Sequence, residues 1–190
     1  MSVSGFITLA VIVVLVGYGV ALYNSLVSLK HSVSKAWSNI DVLLKQRHDE
    51  LPKLVETCKQ YMKHEQETFE KVMQARSGVS SALGKSDVAA LGQAETKMRQ
   101  GLMNLFAVAE AYPDLKANGS FQELQNRISQ LENNIADRRE FYNESVNLNN
   151  VRIEQFPDLL IAKFFSFKSF DLLEFEESEI VDVSVKKLFE

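Results

Sequence analysis

The N-terminal pattern is almost purely apolar. Residues 1–29 contain no Asp, Glu, Lys, Arg or His, and the densest stretch is Phe6–Leu22. A bilayer core takes about 20 mostly apolar helical residues, with a lower limit of about 17. Tyr18 and Tyr23 suit an interfacial aromatic belt. A cleaved signal peptide wants a basic n-region, which Met1–Gly5 lacks, although Gly19-Val20-Ala21 has the small-x-small form of a cleavage site. A buried core helix is rarely so free of polar residues. The expectation is a membrane anchor over residues 1–29, with the transmembrane helix at about 6–23 and membrane lipid as its surroundings. Lys30, Lys35, Lys45 and Arg47 follow the run and no base precedes it. The positive-inside rule then puts the N-terminus outside and the body in the cytoplasm.

From Asn24 onward apolar residues recur in threes and fours. Leu26, Leu29, Val33, Ala36, Ile40, Leu43, Leu51, Leu54, Cys58, Tyr61, Phe69 and Val72 form one seam, widened by Trp37 and Leu44. The spacing predicts a first helix that leaves the membrane and ends near Arg76, kinked at Pro52. Ser77–Ser81 and Gly84-Lys85-Ser86 read as a linker, with Ser86 as N-cap. A second helix covers 88–112 and stops at Pro113. Ser120 and Glu123 form a capping box that opens a third helix, which runs to about Glu154. The expected fold is all-α: a transmembrane helix, then an antiparallel, coiled-coil-like bundle of long helices over 30–155, then a Phe-rich helix/strand tail over 156–190.

Lengths sharpen this. Residues 24–76 would span roughly 80 Å as helix and residues 88–112 only roughly 38 Å. Part of the stripe Leu26, Leu29, Val33, Ala36, Trp37, Ile40, Leu43 and Leu44 is then expected to lack a partner within the chain, and to drive self-association into a homo-oligomer. Arg47, Glu65, Glu95 and Arg138 interrupt the seams. A hairpin about Lys116 brings Glu95 level with Arg138, either as a buried pair that fixes register or as two side chains reaching out at the seam edge.

The last stretch changes character. Seven of the twelve Phe residues fall there, among them the tail-contact candidates Phe164, Phe165, Phe167, Phe170 and Phe175. Asp158–Phe164 forms a short helix after Pro157, and Val181–Val185 alternates like a strand. The acidic balance of residues 171–190 does not suit an anionic membrane surface. The tail is expected on the bundle core, or on a neighbouring protein.

Composition adds exclusions. The chain has 190 residues, 46% hydrophobic and 24% charged, with a formal net charge of −4. That charge, without a basic run, argues against nucleic acid as partner. A single Cys rules out an intrachain disulfide, and Cys58 reads as core. His64-Glu65 starts like a zincin motif, but Thr68 stands where the second ligand belongs. His31 and His48 stand far from His64 in sequence. Met98 and Met103 read as core. No metal site, cofactor site or catalytic constellation is expected.

The spaced motifs resemble the LemA family over most of the chain. They are Trp37-Ser38-Asn39-Ile40-Asp41-Val42, Leu44–Asp49, Leu51–Val55, Tyr61–Glu65, Ala75-Arg76, Glu110–Asn118 with Phe121 and Leu124, then Arg139, Tyr142-Asn143, Val146, Asn149 and Phe156-Pro157. Glu50 departs from the aliphatic residue usual there, Leu148 from an aromatic, and Ser166 from a Gly. The resemblance implies a single-pass protein of the bacterial inner membrane, with no known enzymatic activity. It also implies an association with membrane stress and a membrane zinc metalloprotease. Its matched polar residues Asp41, Arg47, Asp49, Glu65, Arg76, Arg139 and Asn143 are, with Glu95 and Arg138, the candidates for an interhelix polar network. The leading expectation is a membrane scaffold or adaptor that self-associates and binds partner proteins, a membrane protease or another membrane protein among them. The alternatives are a sensor holding a small ligand near His64, Glu65 and Arg139, and a hydrolase.

Overall fold

A computed structural model describes residues 3–85 and 87–175. Among the described residues the chain forms six helices and no strand: α1 (Val3–Lys59), α2 (Gln66–Lys85), α3 (Val88–Ala109), α4 (Pro113–Lys116), α5 (Gly119–Glu154) and α6 (Asp158–Phe164). The all-α expectation holds. The candidate strand at Val181–Val185, the N-cap Ser86 and Phe189 lie outside the described residues.

The chain divides into two compact units. One contains Met1–Asn39 and Glu140–Asp171; the other contains Ile40–Arg139 and the described part of Leu172–Glu190. Helices α1 and α5 contribute to both.

In the second unit the helix boundaries correct the sequence reading. Helix α1 passes through Pro52 without a break and ends at Lys59. The chain reverses instead at residues 60–65, where the amides of Tyr61 and Met62 both donate to the Cys58 carbonyl. α2 then runs back along α1, since Arg76 reaches His48 and Lys59 lies over Phe69. The Ser77–Ser81 stretch is helical, not a linker. Its small residues fit a close approach: a Cβ on Gly78 would lie 3.7 Å from the Ala94 Cβ on α3. Asp87 caps α3, accepting from the Ala90 amide. Asn118 caps α5 by accepting from the Phe121 amide, in the place expected for Ser120. The core is built from Ile40, Leu44, Leu51, Leu54 and Cys58 of α1, Val72 and Val79 of α2, Leu91, Met98 and Leu105 of α3, and Phe121, Ile128 and Ile135 of α5. Of Met98 and Met103 only the first belongs to it, since Met103 is exposed.

In the first unit the α1 stripe is covered. Leu22, Leu26, Val33 and Ala36 are buried, as are Tyr142, Ser145, Val146 and Asn149 of α5. Trp37 stacks on Tyr142 with ring centroids 5.4 Å apart. Further along α1, Ile40 and Leu44 are buried in the second unit, while Leu29 and Leu43 are half-covered. The expectation of an unpartnered Leu26–Leu44 stripe is therefore corrected. Its cause is the misplaced reversal: α2 and the long α5 together supply the cover that a single shorter helix could not.

The apolar N-terminal part of α1 behaves differently. Its best 18-residue window has a mean hydropathy of 2.5 and is 6% buried. It is long and apolar enough to cross a membrane, and the low burial distinguishes it from a core helix.

Candidate functional site

The seam of α1 has one charged slot. Arg47 is 1% exposed and donates from Nη2 to Glu95 Oε1 of α3 and from Nη1 to Glu132 Oε1 of α5. Arg99 Nε lies 3.4 Å from Glu132 Oε2, an ion-pair distance without hydrogen-bond geometry. Three helices thus meet at one guanidinium. Burial alone would lower the Arg47 pKa, but the two carboxylates outweigh it and hold the guanidinium above its ordinary value. Burial pushes the Glu95 carboxyl up, with Arg47 pulling the other way and Glu132 adding to the rise. Among the described residues Glu95 Oε2 has no hydrogen-bond partner. Such a cluster adds little net stability, yet is costly to break by halves.

A second exception sits one turn further on. Pro52 has no amide to give to the carbonyl four residues back, which belongs to His48. Arg76 of α2 donates Nε to that carbonyl at 2.9 Å. The orphaned acceptor is thereby satisfied from another helix, and α1 continues. Glu50 is buried and meets Arg127 of α5 at 3.2 Å and Lys53 at 3.3 Å. The departure from an aliphatic residue here is answered by these bases.

The far end of the bundle is closed by two tyrosines. Tyr112 donates its hydroxyl to Glu65 at 3.0 Å, which raises the tyrosine pKa, and Asn118 donates to the Tyr61 hydroxyl at 2.9 Å. A strap crosses the same unit. Leu173 is buried, and Phe175 lies under the guanidinium of Arg139 at 3.8 Å and near that of Arg99 at 5.3 Å. Gly92 makes room for it, because a Cβ there would stand 2.0 Å from the Glu174 carbonyl oxygen.

In the other unit, Asn150 accepts from the Phe170 amide at 3.0 Å and donates to the Phe170 carbonyl at 2.9 Å. Tyr142 donates to the Asp171 carbonyl at 2.9 Å. Phe165 and Phe167 both pack on Tyr23, at 4.6 and 5.9 Å between centroids.

The candidate polar network is thus assembled in part. Arg47, Glu95, Glu65 and Arg76 make interhelix or inter-element bonds, and Arg139 lies over the Phe175 ring. Asn143 is half-buried on α5. Asp41 pairs with Lys45 on its own helix, and Asp49 and Arg138 are exposed, so these three leave the network. Glu95 shares Arg47 with Glu132 and does not pair with Arg138, because the α3–α5 connection is centred near residue 114 and not near Lys116. Glu132, Arg99 and the Asn149-Asn150 pair were missed; their surroundings are polar, so periodicity gives no signal for them. The grouping of His64, Glu65 and Arg139 as a ligand site does not form. Glu65 sits with Tyr112 at the Asn118 end, and Arg139 lies 21 residues up α5 from Asn118, about 30 Å along a helix. Among the described tail residues, Phe164, Phe165, Phe167 and Phe175 all have aromatic or cationic neighbours within the chain, and Phe164, edge-on to Phe165 at 4.9 Å, is the most exposed of them. Among the described residues no group of three His, Cys, Asp or Glu side chains is placed to hold a metal ion.

The profile of the LemA family matches residues 36–186. The protein LemA of Metamycoplasma hominis is 28% identical over 166 residues, covering 87% of this chain and 74% of its own length. Two magnetosome proteins of Paramagnetospirillum magneticum, MamQ 1 and MamQ 2, are each 23% identical over 194 residues, covering 88% of this chain and 70% of their own. With a family profile spanning residues 36–186, well over half of its length, the chain belongs to the LemA family.

Proposed function

We propose that the chain is a single-pass scaffold of the bacterial cell membrane, with its N-terminus outside and its bundle in the cytoplasm, where it self-associates and holds partner proteins beside the bilayer. The observation that carries this reading is the contrast along α1. Its side chains from Phe6 to Val20 are largely open, while from Leu26 onward the same helix buries a continuous seam. An apolar helix surface with no protein around it calls for lipid. Orientation rests on Lys30, Lys35 and Lys45. Arg47 drops out of that count, because its charge is used inside the bundle.

Self-association needs a surface other than the covered Leu26–Leu44 stripe. Phe141, Leu148 and Val151 are exposed on α5 and fall within about 80° of helix arc. A second copy is the occupant this stripe fits. Copies confined to one bilayer meet at high effective concentration, so a small apolar contact suffices. The test is mild detergent extraction of the full chain, followed by sizing and mass spectrometry of what co-purifies. The expected result is an assembly larger than one chain that shrinks in Phe141→Ser/Leu148→Glu. A wild-type chain that runs as a monomer refutes self-association. A co-purified membrane protease would place the scaffold in proteolysis control.

A further inference from the structure

We propose that α6 makes a second membrane contact, with Phe156, Leu160 and Phe164 lying in the interface of the same bilayer that the N-terminal part of α1 crosses. The inference rests on the reading of that part of α1 as a membrane span.

Leu160 and Phe164 stand one turn apart on α6 and are 60% and 81% exposed, and Phe156, two residues before the helix, is 79% exposed. On the opposite side of α6, Asp158 and Ala162 are buried, and Asp158 takes a 2.8 Å hydrogen bond from Arg152. The helix is therefore amphipathic, with its one carboxylate neutralised on the inner side. Such a face needs an apolar surface, and its position says which one. After α6 the backbone turns at Ser166, whose φ is 57°, and the Phe167 amide donates to the Ala162 carbonyl at 2.9 Å. This turn delivers both Phe165 and Phe167 onto Tyr23.

Tyr23 is the residue directly after the apolar run Phe6–Leu22. That run measures about 26 Å as helix, close to the ~30 Å thickness of a bilayer core. Tyr23 consequently emerges at the headgroup level, where tyrosines concentrate. α6 is held at that level by the two rings. An amphipathic helix there buries its apolar face about 5–10 Å into the headgroup/acyl boundary.

Charge agrees. A cavity of about 570 Å³ beside the same rings is lined by Lys30, His31 and Lys168 and, among the described residues, by no carboxylate. Lys163 is exposed on α6. The cavity is complementary to an anionic phospholipid headgroup. The acidic balance that seemed to exclude a membrane surface belongs to residues from 171 onward, and the stretch 156–170 does not share it.

The test is depth measurement on the full chain in vesicles of phosphatidylethanolamine and phosphatidylglycerol. Spin labels are placed one at a time at Phe164→Cys, Leu160→Cys, Ile12→Cys and Lys97→Cys. The buried Cys58 stays unlabelled, as the wild type verifies. Ile12 reports the span and Lys97 the aqueous phase. The expected result is that labels at 160 and 164 lose accessibility to a water-soluble nickel chelate and gain it to oxygen, as the label at 12 does. Labels at 160 and 164 that match Lys97 while Ile12 is immersed overturn the second contact and leave the span standing. Labels shielded from both reagents also overturn it, since protein then covers the face. An Ile12 label that reads aqueous overturns the span and the contact with it.

Discussion

Replacing Arg47 with Met tests the ionic core most directly. The substitution keeps an unbranched side chain of similar reach and removes the charge that Glu95 and Glu132 share. Glu132 retains Arg99 nearby, at 3.4 Å. Glu95 is 1% exposed and retains only the electrostatic pull of Arg99, the weakest of the influences on it, with no cation at hydrogen-bond distance among the described contacts. A bare carboxylate in that place costs more than a proton does, so Glu95 is protonated in the variant. Protonating a carboxyl whose ordinary value is 4.5 costs about 1.36 kcal/mol for each pH unit above that value, or about 3.4 kcal/mol at pH 7 and about 1.4 kcal/mol at pH 5.5. The pH 7 figure falls within the ~3–5 kcal/mol typical for removing one partner of a buried pair. The sign follows from the direction of the shift. A carboxyl raised in the folded state is protonated before its unfolded counterpart, so acidification from neutrality stabilises the fold relative to the unfolded chain. The assay is urea unfolding of the full chain in non-ionic detergent, followed by circular dichroism at 222 nm at both pH values. Arg47→Met is expected to lose roughly 3–4 kcal/mol at pH 7 and to recover about 2 kcal/mol at pH 5.5. Adding Glu95→Met and Glu132→Gln removes the whole cluster and is expected to restore stability to within about 1 kcal/mol of wild type, or beyond it, with no pH dependence. A loss at pH 7 below about 1 kcal/mol, or a loss that is the same at both pH values, refutes the reasoning.

Arg76→Gln removes the Nε donor from the His48 carbonyl and is expected to cost about 1–3 kcal/mol; in a Pro52→Ala background, where the helix supplies its own amide, the cost falls to near zero, as a double-mutant cycle by the same unfolding assay would read. Gly92→Ala forces the Glu174 carbonyl aside and is expected to cost about 1–3 kcal/mol and to raise hydrogen exchange over 172–175, while Gly101→Ala, whose Cβ meets Val72 at an ordinary 3.5 Å, leaves the strap alone. Burial pushes the Cys58 thiol up to about 12, so the folded chain is expected to resist iodoacetamide at pH 8 and to react fully in urea, as intact mass spectrometry reports. Burial, and then Arg76, lower the His48 pKa below 6.5, with Asp49 opposing; stability carried by neutral His48 is complete above about pH 6.5 and lost as pH falls through the folded value, and His48→Gln flattens that part of the unfolding-versus-pH curve.

The parts legible in the sequence were those written in local chemistry. The charge-free run, the polar cap region before Phe121 and the stop at Phe156-Pro157 each act within a few residues, and α5 and the start of α3 lie where they indicate. The first reversal was not legible, because Gln60–Glu65 contains no Gly, Pro or Asn to announce it. Pro52, read as a kink, stands inside α1 without ending it, and the Ser77–Ser81 stretch offered a stronger signal in the wrong place. Both are tolerated inside helices for reasons held elsewhere in the chain: Arg76, 28 residues away, for the first, and the nearness of Ala94 for the second. The partner of Arg47 was misread through the hinge. Extending the second helix to Tyr112 and centring the turn at Lys116 moves the residue level with Glu95 from Glu132 to Arg138. An error of about three residues at a turn becomes an error of six on the opposite strand of a hairpin.

These errors point to what the exceptions do in the bundle. A seam of apolar residues at three- and four-residue spacing is nearly self-similar, so sliding one helix by seven residues would bury much the same surface. Arg47, the His48 carbonyl and Glu50 break that equivalence within a single turn of α1. Their respective partners lie on α3 and α5, on α2, and on α5. In any slipped register Arg47 and Glu95 would face apolar side chains, and the carbonyl opposite Pro52 would have no donor. Each of those faults costs on the order of 1–5 kcal/mol, against cluster interactions that contribute little net stability when satisfied. The polar slots therefore select one alignment of four helices more than they strengthen it. The scaffold role proposed above would draw on that property, because surfaces presented to other molecules are only as well defined as the register beneath them.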